Sequence, residues 1–450
     1  MSVRAQTGRE VRRLDVEGLD AAALIPALGL RPGVDPFVLL EGAGWGGFVL
    51  AFEPEREIKV ADETPFSSPF EALRRELAGP ADTPHPLSGG PALFGYVSYD
   101  AARHLEKLPA LSTADLALPQ ARFLTPRYTI GADGDGAWVS VPAGESPEPL
   151  ARLVRGVAGE RPRAGEPGGP GGSGGNPRSS LGREGYLEAV ERVKEYVRAG
   201  DVFQVNISQR LDLPFSGDPL ALYTTLRRTN PSPFGGIVSF PDMVAVSSSP
   251  ERLVDLRGGR ASTRPIAGTY PREQVEREGR EAFLVDPKER AEHAMIVDLE
   301  RNDLGRSSAY GTVRVDELMS TETYSHVVHL VSEISGRLAP GHDAVSLLSG
   351  MFPGGTITGC PKVRCMEIIE EIEPVRRALY TGSFGYLSPG GGFMDMNIAI
   401  RTILLTGGRA HVQAGGGIVA DSVPEREYQE SLNKASALVG SLGSSVEPLR

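Results

Sequence analysis

The sequence predicts an α+β fold of antiparallel strands with helices set irregularly among them, and three observations carry that expectation. Short β-rich runs bounded by turn residues, PFVLLEG, GGFVLAFE, ALFGYVSYD and GAWVSVP, fill the first 160 residues. Beyond residue 183, runs such as MVAVSSSPERLVDL, GSFGYLS, MNIAIRTILLT and RAHVQAGGGIV stand in adjacent, hairpin-like pairs. Helical patterns interrupt them without a βαβ alternation, and there is no internal repeat, which disfavours a parallel sheet.

Between the two halves RPRAGEPGGPGGSGGNPRSS replaces every apolar anchor with glycine, proline and serine, a composition that can form no core. The expected organisation is an N-terminal β-rich region over 1–160, a Gly/Pro-rich flexible linker over 161–182, and a second domain over 183–445. In the second domain YLEAVERVKEYVRAGDVFQVNISQRLDLPF reads as a helix, a Gly-Asp break and a strand. Two further helices are expected over 286–301 and 362–372.

With 58 acidic and 47 basic residues the net charge is −11, and the basic residues are scattered, so a nonspecific grip on nucleic acid is excluded. Any anionic ligand must be held by a local site. Cys360 and Cys365 are the only cysteines, which indicates neither a disulfide framework nor a zinc site and fits a reduced, cytoplasmic setting. The start, MSVRAQTGREVRRLDVEG, lacks a signal-peptide core, and no apolar run is long enough to span a bilayer, so membrane insertion and secretion are not expected.

Several residue patterns point to chemistry. Glu289 and Glu292 stand three apart on a predicted helix, as do Glu427 and Glu430, so each pair shares a face. Such pairs suit a solvated face or a hard cation such as Mg²⁺. GTITG at 355–359 precedes a helix, and QAGGGIVADS at 413–422 follows a strand. Both expose backbone N–H groups to an anion, or are turns that merely need positive φ, and neither is a Walker A loop. Arg401 falls within an apolar strand pattern, where a charge needs an anionic partner or a salt bridge. His329 lies in the amphipathic stretch HVVHLVS, where a satisfied core histidine is the ordinary case.

RPIAGT, AEHAMIVDLERNDLGR, HVVHLVS, GGTITGCPKVRCMEIIEEIEP, GSFGYLS, NIAIRT, QAGGGIVADS and EYQESLNK occur in the order and approximate spacing of the chorismate-utilising enzymes. Over about 183–440 the chain resembles component I of aminodeoxychorismate synthase, with component I of anthranilate synthase as the close relative. NPSPFGGIVSF and the LLEG at 39–42 are weaker traces of the family's N-terminal region. The resemblance implies the chorismate-utilising fold, antiparallel sheets packed together with helices outside. It also implies Mg²⁺ on Glu292 and Glu430, with Glu289 and Glu427 nearby, binding the ring carboxylate of chorismate. The enolpyruvyl carboxylate would meet Arg401, Tyr386 and the amides of Gly415, Gly416 and Gly417, with Thr356 in the loop over the ring and Lys434 adding positive charge. Glu251 matches the family's general acid, and His329 a histidine near the reacting ring.

The same resemblance separates the reactions. Isochorismate-forming relatives carry a water-activating lysine where this chain has Gln204, a poor base, so amination by ammonia is implied. Many aminodeoxychorismate synthases read PIKGT with a lysine nucleophile, whereas Ala267 here excludes that covalent route and matches the PIAGT of anthranilate synthases. GGTITGCPK, EEIEPVRR and MDMNIAIRT resemble aminodeoxychorismate synthase instead, and the larger set is followed. Gly42 replaces the serine associated with tryptophan feedback. Neither cysteine sits in a glutaminase-like setting, so ammonia is expected from solution or from a glutamine amidotransferase subunit. A noncatalytic chorismate- or amino-acid-binding regulator is disfavoured by the complete glutamate, arginine and glycine set.

Overall fold

A computed structural model describes residues 2–4, 8–42, 46–61, 68–79, 85, 87, 90–158, 176–271, 275, 277, 287–323 and 327–446. Among these every paired strand runs antiparallel to its neighbour, and helices lie among them irregularly, as the α+β expectation requires. The strand Gln204–Pro214 pairs along its length with Arg409–Ile418, Met243–Ser249 with Thr402–Thr406, and Arg252–Arg257 with Phe393–Ile398.

The two halves are joined by backbone hydrogen bonds. Phe37–Gly42 pairs with Phe234–Phe240, and Leu93–Val97 pairs with Ser383–Leu387. One core cluster contains Leu50, Ile130 and Val139 together with Ile237, Val412 and Leu438. The composition break near 160 therefore marks no break in sheet or core. Residues 161–175 of the expected linker lie outside the described residues. Its end is built in: Arg178 and Ser179 form a short strand opposite Asp212 and Leu211, and the Ser180 N–H donates to the Arg210 carbonyl at 2.8 Å.

The helix Gly182–Ala199 forms because Tyr186, Ala189, Val190 and Val193 recur at helical spacing and are all buried. It stops at Gly200, whose φ of 82° is left-handed and cheap only for glycine. The expected helices at 286–301 and 362–372 are found as Pro287–Gly305 and Lys362–Ile372, the latter burying Met366, Ile368 and Ile369.

A buried ion pair locks the walls of the site. Arg377 donates to both oxygens of Glu373 (2.7 and 2.9 Å), to the Asn206 carbonyl (2.7 Å) and to the Ile357 carbonyl (2.9 Å). Glu373 in turn accepts from the Ser208 N–H and hydroxyl. The pair thus ties the turn Gly355–Ile357 to the strand Gln204–Pro214, and breaking it by removing one partner would cost about 3–5 kcal/mol. No helix among the described residues is long and apolar enough to cross a membrane.

Candidate active site

Glu251 and Arg401 each occupy a break between two strands. Met243–Ser249 ends before Glu251 and Arg252–Arg257 begins after it; Phe393–Ile398 ends before Arg401 and Thr402–Thr406 begins after it. The breaks are stitched together. Ile398 N–H donates to the Glu251 carbonyl at 3.0 Å, Ser248 N–H to the Arg401 carbonyl at 3.1 Å, and the Ser249 hydroxyl to the Ile398 carbonyl at 2.6 Å. Arg401 adopts φ 48°, sparsely populated for a long side chain and of the kind that surrounding structure must enforce.

The Glu251 carboxyl is buried, and its pKa is pushed up to about 8. Burial is the chief cause. The Thr356 hydroxyl, buried and without a complete hydrogen bond among the described residues, lies close enough to lower it in part. Glu300 raises it further, while the Ile266 N–H and Arg401 lower it. At neutral pH this carboxyl is a proton donor. Burial lowers the Arg401 pKa and Glu251 opposes that shift. Among the described residues the guanidinium interacts with Glu251 through charge and has no hydrogen bond or ion pair.

The contact of Ile266 with Glu251 brings the PIAGT backbone to this corner. Ala267 follows in the strand Ile266–Pro271, its Cα opposite Leu330, and its side chain lies outside the described residues. His329 sits on the neighbouring strand Val327–Arg337, opposite Thr269 and Glu322, and is buried.

The second wall is the end of the strand Arg409–Ile418 under the helix Pro424–Ser441. A Cβ on Gly416 would lie 3.6 Å from Glu427 Oε2, 3.6 Å from Lys434 Nζ and 3.8 Å from Glu430 Oε1, so all three charged groups converge on that residue. Lys434 pairs with Glu430 at 2.8 Å and donates to the Gly415 carbonyl at 3.1 Å. Gln204 belongs to the same wall: its Nε2 would lie 1.9 Å from a Cβ on Gly417, and its Oε1 is buried with no hydrogen-bond partner among the described residues.

Glu289 and Glu292 both lie on the helix Pro287–Gly305, with Glu292 half-buried and the Glu289 side chain outside the described residues. Among the described residues no three His, Cys, Asp or Glu side chains are gathered as a metal site. The Glu427 and Glu430 oxygens at Gly416 still offer the hard donors that suit Mg²⁺, an ion that completes its shell with water and substrate oxygens.

One expectation is corrected. Tyr386 is not beside Arg401: its strand begins at Ser383 opposite Ile398, next to Glu251, and Tyr386 lies three residues further on, opposite Asp395. That is about 10 Å along the strand. Its hydroxyl contacts His85 Nε2 at 3.3 Å within a cluster that includes Phe94. Most of the glycines in the segments 355–359 and 413–422 are also required by the protein's own close packing. A Cβ would lie 2.6 Å from Leu299 at Gly355, 2.1 Å from the Gln204 carbonyl at Gly359 and 1.9 Å from the Ile207 carbonyl at Gly415. Of the glycines in these two segments, Gly416 is the one whose nearest neighbours are charged side chains at ordinary contact distance.

Sequence reasoning missed Glu300, Asp303 and Lys362, all buried at the back of the Thr356 turn. A charged run such as DLERND reads as a solvated helix face. Gly42, in the N-terminal half, lines a separate cavity of about 820 Å³ with Glu41, Tyr223 and Arg227.

The family model for chorismate binding enzymes matches residues 35–440. The anthranilate synthase component 1 of Thermus thermophilus is 46% identical over 389 residues, covering 85% of this chain and 83% of that protein. The aminodeoxychorismate synthase component 1 of Bacillus subtilis is 41% identical over 426 residues, covering 92% and 89%. Among solved structures, anthranilate synthase component I from Streptococcus pneumoniae superposes with a TM-score of 0.76 at 32% identity, covering 87% of this chain and 92% of that one. The menaquinone-specific isochorismate synthase MenF of Escherichia coli, at 21% identity and a TM-score of 0.74, shares the fold.

Proposed function

Because the chain belongs to the family of chorismate binding enzymes and is a chorismate-utilising enzyme, we propose that it is component I of aminodeoxychorismate synthase. The reaction is amination of chorismate to 4-amino-4-deoxychorismate, on the way to 4-aminobenzoate and folate. One observation carries amination over hydration: residue 204, packed against Gly417, is an amide rather than an amine that could activate water. Ammonia needs no such base. The sequence likeness of GGTITGCPK and MDMNIAIRT to aminodeoxychorismate synthase supports position 4.

In this scheme Arg401 binds the enolpyruvyl carboxylate through its guanidinium, while Gly416 leaves room beside Glu427, Glu430 and Lys434 for the ring carboxylate. Glu251, protonated at neutral pH, donates to the ring hydroxyl as its C–O bond breaks. Water leaves, the C–N bond forms, and the proton lost by the new ammonium group restores Glu251. Bound Mg²⁺ would be held by Glu292 and Glu430, with Glu289 and Glu427 nearby, and would neutralise the ring carboxylate. Ala267 leaves no lysine for an enzyme-bound ring at that position. Ammonia would come from a separate glutamine amidotransferase subunit.

A second reading, anthranilate synthase component I, is favoured by PIAGT and by the 46% identity over 389 residues to a relative of that name. Purified protein with chorismate, Mg²⁺ and ammonium distinguishes the two. A product that needs a lyase to yield 4-aminobenzoate supports the first, and direct release of fluorescent anthranilate with pyruvate supports the second.

A further inference from the structure

Glu300, on the helix Pro287–Gly305, is 3% exposed and takes no part in the scheme above. Its Oε1 accepts the Gly355 N–H at 3.1 Å and its Oε2 the Thr263 hydroxyl at 3.4 Å. Gly355 opens the turn that presents Thr356 to Glu251, and a Cβ there would lie 3.0 Å from Glu300 Oε1, so the turn is docked on this carboxyl with no slack. Behind it Asp303 and Lys362, both buried, form an ion pair, and Lys362 also donates to the Met351 carbonyl at 3.1 Å.

We propose that Glu300 is a positioning residue for the amination: it holds the Gly355–Thr356 turn beside Glu251 and, as a second acid in the same buried space, keeps Glu251 a proton donor. The inference rests on the proposed reaction. Two carboxyls enclosed together resist ionising together. Glu251 faces the Thr356 hydroxyl, the Ile266 N–H and Arg401 as well as Glu300. Glu300 faces Asp303, Lys362, the Gly355 N–H and the Thr263 hydroxyl. Burial, then the Asp303 charge, pushes Glu300 up to about 7 against the pull of Lys362. Charge on Glu300 therefore forms in the pH range where Glu251 must keep its proton. An acceptor needed only for the Gly355 N–H would be served by an amide.

Glu300→Gln and Glu300→Asp separate the two roles. Glu300→Gln keeps an acceptor for Gly355 and removes the charge, so the basic limb of the kcat–pH profile should move down by about one unit. The KM for chorismate should stay close to wild type. Glu300→Asp keeps the acid but draws it back from Gly355, so KM should rise several-fold while the limb stays in place. An unmoved limb in Glu300→Gln, or an unchanged KM in Glu300→Asp, overturns the proposal. Should Glu300→Gln fail to fold by circular dichroism, Glu300→Asp decides the holding of the turn through KM, and Glu300→Met, which also removes the charge, decides the coupling: an unmoved basic limb there overturns it. If the wild type forms no aminated product, the reaction assignment fails, and a stability cycle still decides the pairing. The pH-dependent stabilisation from Glu251→Gln must shrink in a Glu300→Gln background, which lacks the second acid, and an undiminished effect overturns the coupling.

Discussion

Replacing Glu251 by glutamine should abolish most turnover and at the same time stabilise the protein at neutral pH, because one burial underlies both effects. The carboxyl ordinarily titrates at 4.5 and is raised to about 8 in the folded chain. Between those values the folded state holds a proton that the unfolded chain has released, so stability falls as pH rises. The penalty is absent below the unfolded value and complete above the folded one. The slope in that window approaches about 1.4 kcal/mol per pH unit, so by pH 7 the accumulated penalty is at most about 3 kcal/mol. Relaxation around the charge reduces it, and about 1–3 kcal/mol is the expected range. An amide does not ionise and escapes the penalty. Urea unfolding of wild type and Glu251→Gln over a pH series should show a difference that is smallest near pH 4.5 and grows towards pH 8. Turnover should fall by about 10²–10⁴-fold with KM little changed, the usual worth of a general acid. A stability difference that is the same at every pH would show that the carboxyl is not held protonated by burial, and its assignment as the acid would fall with it.

Arg401→Met should chiefly raise the KM for chorismate, by about 10–100-fold for a lost charge-assisted hydrogen bond, and an unchanged KM would make Arg401 structural. Glu292→Gln and Glu430→Gln should each abolish ammonia-dependent turnover and weaken Mg²⁺ binding in calorimetry while circular dichroism stays native; full activity in either defeats the metal assignment. With glutamine alone the isolated chain should be inactive, and a cognate amidotransferase subunit should restore turnover; glutamine-supported activity of the pure chain would end the partner proposal. Ala267→Lys should keep chorismate binding and gain a chorismate-derived adduct in intact-mass spectra, since desolvation would free its amine for attack. A variant unaltered in product, rate and mass would mean that position 267 does not face the ring.

The fold was legible where local pattern and tertiary demand agree. The helix ending at Gly200 and the helix after Pro361 carry their apolar spacing and stop signals within a few residues. The site was least legible where that agreement fails. MVAVSSSPERLVDL and MNIAIRTILLT each read as one strand, yet each is two, parted at Glu251 and Arg401. The alternation resumes across a gap of two or three residues, so the pattern does not register the interruption, and only Pro250 hints at it. A continuous ladder would fix both side chains to the faces of the sheet, whereas the breaks, with Arg401 at positive φ, let them meet at one corner.

Acid strength was hidden for a different reason. Nothing in DLERND distinguishes Glu300 from a solvated glutamate, and nothing in SSSPERL gives Glu251 a raised pKa. The groups that bury and bias them come from Thr263, Ile266, Gly355, Thr356, Lys362 and Arg401, on elements far apart in the chain. The glycine-rich segments show the same limit from the other side. Their composition announces a close approach without naming what approaches, and at Gly355, Gly359 and Gly415 it is the protein's own backbone or side chains. The residue types at the site can thus be chosen from sequence, but their protonation is a property of the topology. A substitution at Glu300, on a helix some fifty residues along the chain from the strand break that holds Glu251, is therefore expected to change the chemistry of Glu251 as surely as one beside it.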